Sequence, residues 1–311
     1  MLLIKSGGAG AFSEWERHFA ELAPNLEVRA WDDPTIDPEE VRHVFCWEPP
    51  PGWRVGFANL RLIISSGAGV DHILRDPYLP LHVPIVRMGG MATIAHMADF
   101  VRLGCFSLLR DMPRIIANQA ARHWEEFGVP RSSGETRVGV MGLGTLGTPA
   151  AVALHDCGFI TAGWSRRRRT IPGVRCFEGD TEFADFLSRT DILVNLLPET
   201  DATRGIVDGD TLAVLPRGAS ILNVGRGSHL ALDDLLLALA SGHISSAFLD
   251  VFDPEPLAAD HPVWTHPRVI VSTHVAAIPS RLDRARFAAE AIATFERGET
   301  PDNLYDPALG Y

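Results

Sequence analysis

The sequence predicts an α/β fold of two doubly wound parallel-sheet units, and three observations carry that prediction. Short apolar strands alternate with helical stretches from one end to the other, the pattern of a mostly parallel sheet covered by helices. The 311 residues are long for one domain and comfortable for two of about 150. A glycine-rich turn, "RVGVMGLGTLG", opens a second βα series near the middle of the chain.

Taken in order, "MLLI" reads as a strand and residues 13–23 as a helix. "LEVRAW", "HVFCW", "LRLIIS" and "VPIVRM" follow as strands, the third running into the loop "SGAG" and a short helix. A long helical region spans about 93–119, interrupted near Pro113. It contains "MADFVRLGCFSLLRDM", apolar on most faces, which predicts a helix buried between two layers. The polar segment 123–136 is a Pro/Gly/Ser loop. The second series then reads "RVGVMG" strand, 145–157 helix, "FITAGWS" strand, 181–188 helix and "DILVNLL" strand. It continues as "ASILNV" strand, 232–240 helix, and the strands "SSAFLDV" and "RVIVS". A last helix over about 279–297 is long enough to return to the first unit. The expected division is 1–98, completed by 281–311, and an inserted unit 99–280, with a ligand cleft between them.

Composition excludes several functions. The hydrophobic and charged fractions, 46% and 22%, are those of an ordinary globular enzyme. The net charge of −11, from 39 acidic and 28 basic residues, offers no footprint for nucleic acid and no basic face for a membrane. The opening apolar run is too short for a signal peptide, and no apolar run reaches the length of a membrane span. Cys46, Cys105, Cys157 and Cys176 are widely spaced and read as reduced thiols, so a cytoplasmic protein is expected. The twelve histidines show no HExxH and no grouping that would hold a metal.

Gly142, Gly144 and Gly147 stand in G-x-G-x-x-G spacing after an apolar strand and at the head of a helix. Gly142 suits the tight turn, Gly144 the close approach of a pyrophosphate, and Gly147 the packing of helix on strand. The helix N-terminus supplies N–H donors and a positive dipole end for the diphosphate. NAD binders carry an acidic residue about 20 positions on, at the end of the next strand. Here that strand ends at Ser165 and is followed by Arg166 to Arg169, without a carboxylate. A hydroxyl and guanidinium groups suit a 2′-phosphate, so NADP(H) is the expected cofactor, with NAD(H) weaker. A solvated basic run is the bland alternative.

Three further residues lie at strand ends or in the loops after them: Arg226 after "ILNV", Glu255 in "DVFDPEPL" and His274 after "VIVST". A guanidinium can hold a carboxylate by paired hydrogen bonds. A histidine can protonate a carbonyl oxygen, and a neighbouring carboxylate favours its imidazolium form. With a hydride donor beside them, these are the parts needed to reduce a 2-oxo acid. Taken singly, each could instead be a structural salt bridge or a core histidine. In the first unit, the N–H groups of "SGAG" (Gly67, Ala68, Gly69) can form an anion-binding nest, and Trp47 can wall a small pocket.

"GVMGLGTLG", "NLLPETDATRGIVD", "LNVGRG", "LDVFDPEPL" and "STHVAA" together resemble the D-isomer-specific 2-hydroxyacid dehydrogenases, over nearly the whole chain. "ARHWEEFGVPRSSGETRVGVMGLGTLG" and "WSRRRRTIPGV" resemble the glyoxylate/hydroxypyruvate reductase branch of that family. The resemblance implies a Rossmann-type cofactor domain inserted into a flavodoxin-like substrate domain, an NADPH-preferring cytoplasmic enzyme acting on small 2-oxo acids, and a homodimer. It maps the catalytic arginine, glutamate and histidine to Arg226, Glu255 and His274. It maps the pyrophosphate loop to Leu143, Gly144, Thr145 and Leu146, and the nicotinamide-contacting aspartate to Asp250. It also implies cofactor contacts at Ser165, Arg166, Arg167, Leu197, Pro198, Thr203, Val224 and Gly225, and substrate contacts at Trp47, Ala68, Gly69 and Arg226. A reductase of bulkier 2-oxo acids, or a dinucleotide-sensing binding protein on the same fold, would share most of these features.

Overall fold

The computed structural model describes residues 1–50, 52–53, 56–79 and 82–310, and of Ala9 the backbone alone. The chain forms two compact units, residues 1–93 with 278–311, and residues 94–277. The sequence-based limits, 98/99 and 280/281, lie five and three residues away from these.

The first unit holds five parallel strands, β1 (Leu2–Lys5), β2 (Val28–Ala30), β3 (His43–Cys46), β4 (Leu62–Ser65) and β5 (Ile85–Val86). Their order, β2-β1-β3-β4-β5, is the flavodoxin-like arrangement. β1, β3 and β4 are nearly continuous apolar runs, as strands covered on both faces must be. On one face, α1 (Phe12–Leu22) buries Trp15 and Phe19 beside Leu2, Ile4 and Phe45. The returning helix α9 (Arg281–Glu296) adds Ala285, Ala288 and Ile292 to the same core. The short α2 (Asp71–Leu74) follows β4.

The second unit holds seven parallel strands: β6 (Arg137–Met141), β7 (Ile160–Ser165), β8 (Arg175–Glu178), β9 (Ile192–Asn195), β10 (Ala219–Asn223), β11 (Ile244–Leu249) and β12 (Val269–Val271). The order is β12-β11-β10-β9-β6-β7-β8, which reverses direction between β6 and β9. That is a Rossmann order with one added edge strand. α5 (Gly147–Asp156), α6 (Phe183–Ser188), α7 (Gly209–Val214) and α8 (Leu232–Ala240) cover its faces. β8 and α7 are two elements that the sequence reading does not contain.

The long helical region is two helices, α3 (Met91–Leu109) and α4 (Met112–Ala121). The break is at Asp111, which takes a left-handed φ of 52°, and Pro113 stands in the first turn of α4, where its missing N–H costs nothing. Two expectations about this region need correcting. First, α3 is long and apolar enough to cross a membrane by length and composition, so one such run does exist among the described residues. It packs instead through Met97, Val101, Cys105 and Leu108 onto the core of the second unit, and Gly104 lies against Leu222. Second, the helix expected to be buried between two layers leaves Leu103 and Phe106 exposed, as are Ile115 and Ile116 of α4.

Candidate active site

Three neighbouring strands deliver the polar residues to one edge. Asn223 of β10 is in register with Leu249 of β11, and Leu249 with Val271 of β12. The strands are parallel, so each chain leaves the sheet on the carboxyl side, where doubly wound sheets bind ligands. Arg226 stands three residues beyond Asn223, His274 three beyond Val271, and Glu255 six beyond Leu249.

His274 and Glu255 are brought together: Nδ1 lies 2.8 Å from Oε2. The other carboxylate oxygen accepts the Phe252 N–H at 2.9 Å, which fixes the carboxylate's orientation. Burial alone would raise the Glu255 pKa. The hydrogen bonds from His274 and the Phe252 amide, with the charges of His274 and Arg226, outweigh it and hold the carboxyl below its ordinary range. Glu255 is therefore ionised at neutral pH, and the Arg226 charge reaches it.

The backbone that carries His274 is held in an uncommon conformation, with φ of 57°. Asp250, directly after β11 and only 1% exposed, holds it there. The His274 N–H donates to the Asp250 carbonyl at 2.7 Å. The Asp250 carboxylate accepts from the Ser272 hydroxyl at 2.5 Å and from the Val275 and Ala276 amides at 3.0 Å each. A non-glycine residue at positive φ persists only where its surroundings over-determine it. Asp250 thus acts as the buried anchor of the histidine loop, a role that the sequence did not disclose.

Arg226 is half-buried and its Nη1 donates to the Gly225 carbonyl at 2.8 Å. The glycine after it has a steric reason. A Cβ on Gly227 would stand 1.9 Å from the Phe252 carbonyl carbon and 2.3 Å from the Asp253 nitrogen. The Arg226 turn and the loop leading to Glu255 therefore touch backbone to backbone. Below them, Asn223 Nδ2 donates to the Arg226 carbonyl at 3.0 Å, and Asn195 Nδ2 donates to Asn223 Oδ1 at 2.9 Å. Asn195 also lies 2.9 Å from His229 Nδ1, and its Oδ1 accepts the Leu197 N–H at 3.2 Å. Both asparagines are the last residues of otherwise apolar strands, the one signal by which sequence could have found this network.

The glycine turn after β6 divides its labour. Gly142 takes a φ of 94°, and a Cβ there would meet the Leu196 carbonyl at 2.7 Å. A Cβ on Gly147 would lie 1.7 Å from the Gly142 carbonyl oxygen. Nothing lies within 4 Å of where a Cβ on Gly144 would stand, so this glycine faces open space at the head of α5. Leu143 is buried, so its side chain belongs to the core and only its backbone can serve a ligand. The open space and the helix N-terminus fit a diphosphate. Gly144→Ala should therefore leave thermal stability within about 0.5 kcal/mol while weakening dinucleotide binding. Gly227→Ala should destabilise the protein by about 1–3 kcal/mol, because backbone must move. A thermal-unfolding comparison of the two variants checks both.

After β7, the Ser165 hydroxyl donates to the Arg167 carbonyl at 2.7 Å and folds the arginine run back on itself. Arg168 is bound to carboxylates, its Nε to Glu178 at 3.0 Å and its Nη2 to Glu182 at 2.7 Å. Thr203 donates to the Pro198 carbonyl at 2.7 Å and shapes the loop after β9.

In the first unit, a Cβ on Gly67 would meet the Trp47 ring at 2.5 Å, and Trp47 packs against His72 with centroids 4.2 Å apart and planes tilted at 44°. Since the Glu48 N–H donates to His72 Nδ1 at 3.1 Å, His72 Nε2 carries the hydrogen towards Ser65 Oγ, also at 3.1 Å. That hydroxyl donates to the Gly69 carbonyl and accepts the Gly67 N–H. None of Gly67, Ala68 and Gly69 takes the left-handed φ that an alternating nest requires. The loop is a turn wound around Ser65, with the Gly67 N–H engaged by the Ser65 hydroxyl. Among the described residues no group of histidine, cysteine and carboxylate side chains could hold a metal.

A dinucleotide-type sheet whose carboxyl edge carries an arginine and a histidine–glutamate pair defines an NAD(P)-dependent dehydrogenase. The model of the D-isomer specific 2-hydroxyacid dehydrogenase NAD binding domain matches residues 103–276, and the chain belongs to that family. It is 36% identical over 302 residues, 96% of each chain, to a glyoxylate/hydroxypyruvate reductase A of Klebsiella pneumoniae (strain 342). Its structure is similar to a D-isomer specific 2-hydroxyacid dehydrogenase of Xanthobacter autotrophicus Py2 solved with NADPH and MES, with TM-score 0.93, 38% identity and 100% and 99% of the two chains covered. It is also similar to an NADPH-dependent glyoxylate/hydroxypyruvate reductase of Sinorhizobium meliloti solved with NADP and sulfate, with TM-score 0.91, 34% identity and 100% and 99% covered.

Proposed function

We propose that this protein reduces small 2-oxo acids, glyoxylate and hydroxypyruvate foremost, with NADPH preferred over NADH. The observation that carries the reading is the 2.8 Å His274–Glu255 pair on the same sheet edge as Arg226. Bound reduced nicotinamide supplies a hydride. Arg226 presents a planar fork to the substrate carboxylate and polarises the adjacent carbonyl. Glu255 faces Nδ1 and stabilises the imidazolium, so the proton for the carbonyl oxygen comes from Nε2.

The reading assigns Gly142, Leu143, Gly144, Thr145, Leu146 and Gly147 to the diphosphate, the last by packing. It assigns Ser165, Arg166 and Arg167 to the 2′-phosphate end. Leu197, Pro198, Thr203, Val224, Gly225 and Asp250 line the rest of the cofactor's course, and Trp47, Ala68 and Gly69 serve the substrate. The Klebsiella and Sinorhizobium relatives, named for glyoxylate and hydroxypyruvate, support the substrate class. The NADPH- and NADP-bound structures support the phosphate. The four cysteines stand as free thiols, which is compatible with a reducing compartment, and burial pushes the Cys46 thiol up to about 12. A second copy of the chain would cover Leu103, Phe106, Ile115 and Ile116, and sedimentation at micromolar concentration should return a dimer.

The pair is tested by pH. Glu255 is depressed, so its contribution to stability is present above the ordinary carboxylate range and is lost as pH falls through its lowered value. At the other limb, reduction requires the imidazolium, so kcat/KM should fall as pH rises. Glu255→Gln removes the charge that faces Nδ1 and should move that alkaline limb to lower pH. A limb that stays in place would take Glu255 out of the proton-donor pair.

A further inference from the structure

The carboxylate that the sequence lacks at the end of β7 is supplied by the neighbouring strand. Ser165 and Glu178 are register partners across β7 and β8, and the Gly179 N–H donates to the Ser165 carbonyl at 3.1 Å. Glu178 therefore stands at the position on the edge where a 2′-phosphate would be received, and an uncovered carboxylate there would repel it. Arg168 covers it. Its Nε and backbone N–H donate to the two Glu178 oxygens at 3.0 and 2.8 Å, and its Nη2 donates to Glu182 at 2.7 Å. The second Glu182 oxygen accepts the Glu178 N–H at 2.7 Å, which closes the cluster.

We propose that Arg168 is a specificity-determining positioning residue. It does not grip the phosphate. It neutralises Glu178 and fixes the turn on which Arg166 and Arg167 are presented. The inference rests on the NADPH reading above. The side chains are exposed enough that these ion pairs contribute little to folding stability, so their consequence falls on the charge a ligand meets. Arg168→Met uncovers Glu178 beside the phosphate position and takes the guanidinium from Glu182 behind it, and uncovered carboxylate within a Debye length of the phosphate should weaken binding by about tenfold at moderate salt.

The test measures calorimetric dissociation constants for NADP⁺, NAD⁺ and adenosine 2′,5′-bisphosphate in wild type, Arg168→Met and the double variant Arg168→Met/Glu178→Gln. Arg168→Met should raise the constants for NADP⁺ and the bisphosphate about tenfold and leave NAD⁺ within about twofold, which also shows that the cofactor unit remains folded. The double variant should recover most of the loss, because the carboxylate beside Ser165 is gone, while Gln keeps an acceptor for the backbone N–H of residue 168 and Glu182 still accepts the backbone N–H of residue 178. Equal losses for NADP⁺ and NAD⁺, or no recovery in the double variant, would overturn the masking role. A wild-type protein that binds NADP⁺ no tighter than NAD⁺ would overturn the NADPH reading itself. A wild-type preference that Arg168→Met leaves untouched would overturn only the role of Arg168.

Discussion

Replacing Arg226 with lysine should lower kcat/KM for glyoxylate on the order of 10²-fold or more, the loss of one charge-assisted hydrogen bond of about 3 kcal/mol. The charge survives in this variant and the planar fork does not. The turn itself should be unchanged, because backbone and neighbours hold it. Asn223 bonds the Arg226 carbonyl, and Gly227 rests against the Phe252–Asp253 backbone. The effect therefore belongs to substrate handling and should leave the unfolding temperature and the NADPH dissociation constant close to wild type. Steady-state kinetics on glyoxylate and hydroxypyruvate check it. Near-normal values would remove Arg226 as the carboxylate anchor.

The second large effect is on cofactor choice. Wild-type kcat/KM with NADPH should exceed that with NADH on the order of 10² to 10⁴, the worth of two charge-assisted bonds to the 2′-phosphate at about 1.5 to 3 kcal/mol each. Ser165→Asp combined with Arg166→Gln should reduce NADPH use far more than NADH use. Aspartate brings a charge that repels the phosphate, and it cannot donate to the Arg167 carbonyl as the serine hydroxyl does. The preference should shrink as salt is raised, since the arginine turn is exposed to solvent. Paired kinetic constants for the two cofactors decide the matter, and equal wild-type values would reduce the arginine run to a solvated surface feature.

The two-sheet architecture was legible because buried parallel strands are uninterrupted apolar runs, such as "LLIK" and "LIIS", that stand out between polar turns. Arg226, Glu255 and His274 were legible as candidates because each follows such a run. What escaped is physically different. β8 is four residues, "RCFE", with charge at both ends, so its strand character comes from pairing with β7 and not from its own composition. Missing it hid Glu178, and with it the carboxylate that Arg168 covers. α7 is a six-residue helix starting at a glycine, held by the Asp208 side chain capping the Thr211 amide. The Asn195–Asn223–His229 network joins residues 28 and 34 positions apart, a closeness that no local pattern encodes. Asp250 looked like a cofactor contact from its motif. Its geometry adds the anchoring of the His274 loop. The apolar breadth of α3 predicted burial between two layers, and Leu103 and Phe106 are left on its surface.

Mixing the protein with NADPH and glyoxylate and following the loss of reduced-nicotinamide absorbance decides whether the Arg226, Glu255 and His274 edge reduces a 2-oxo acid with a hydride from NADPH. Wild type should turn over steadily to glycolate, with a fall on the order of 10²-fold or more in His274→Ala, the scale of a lost general acid, while NADPH still binds. NADPH that binds tightly but is consumed with neither glyoxylate, hydroxypyruvate nor any bulkier 2-oxo acid would contradict it, and would make this chain a dinucleotide-binding protein instead of a reductase.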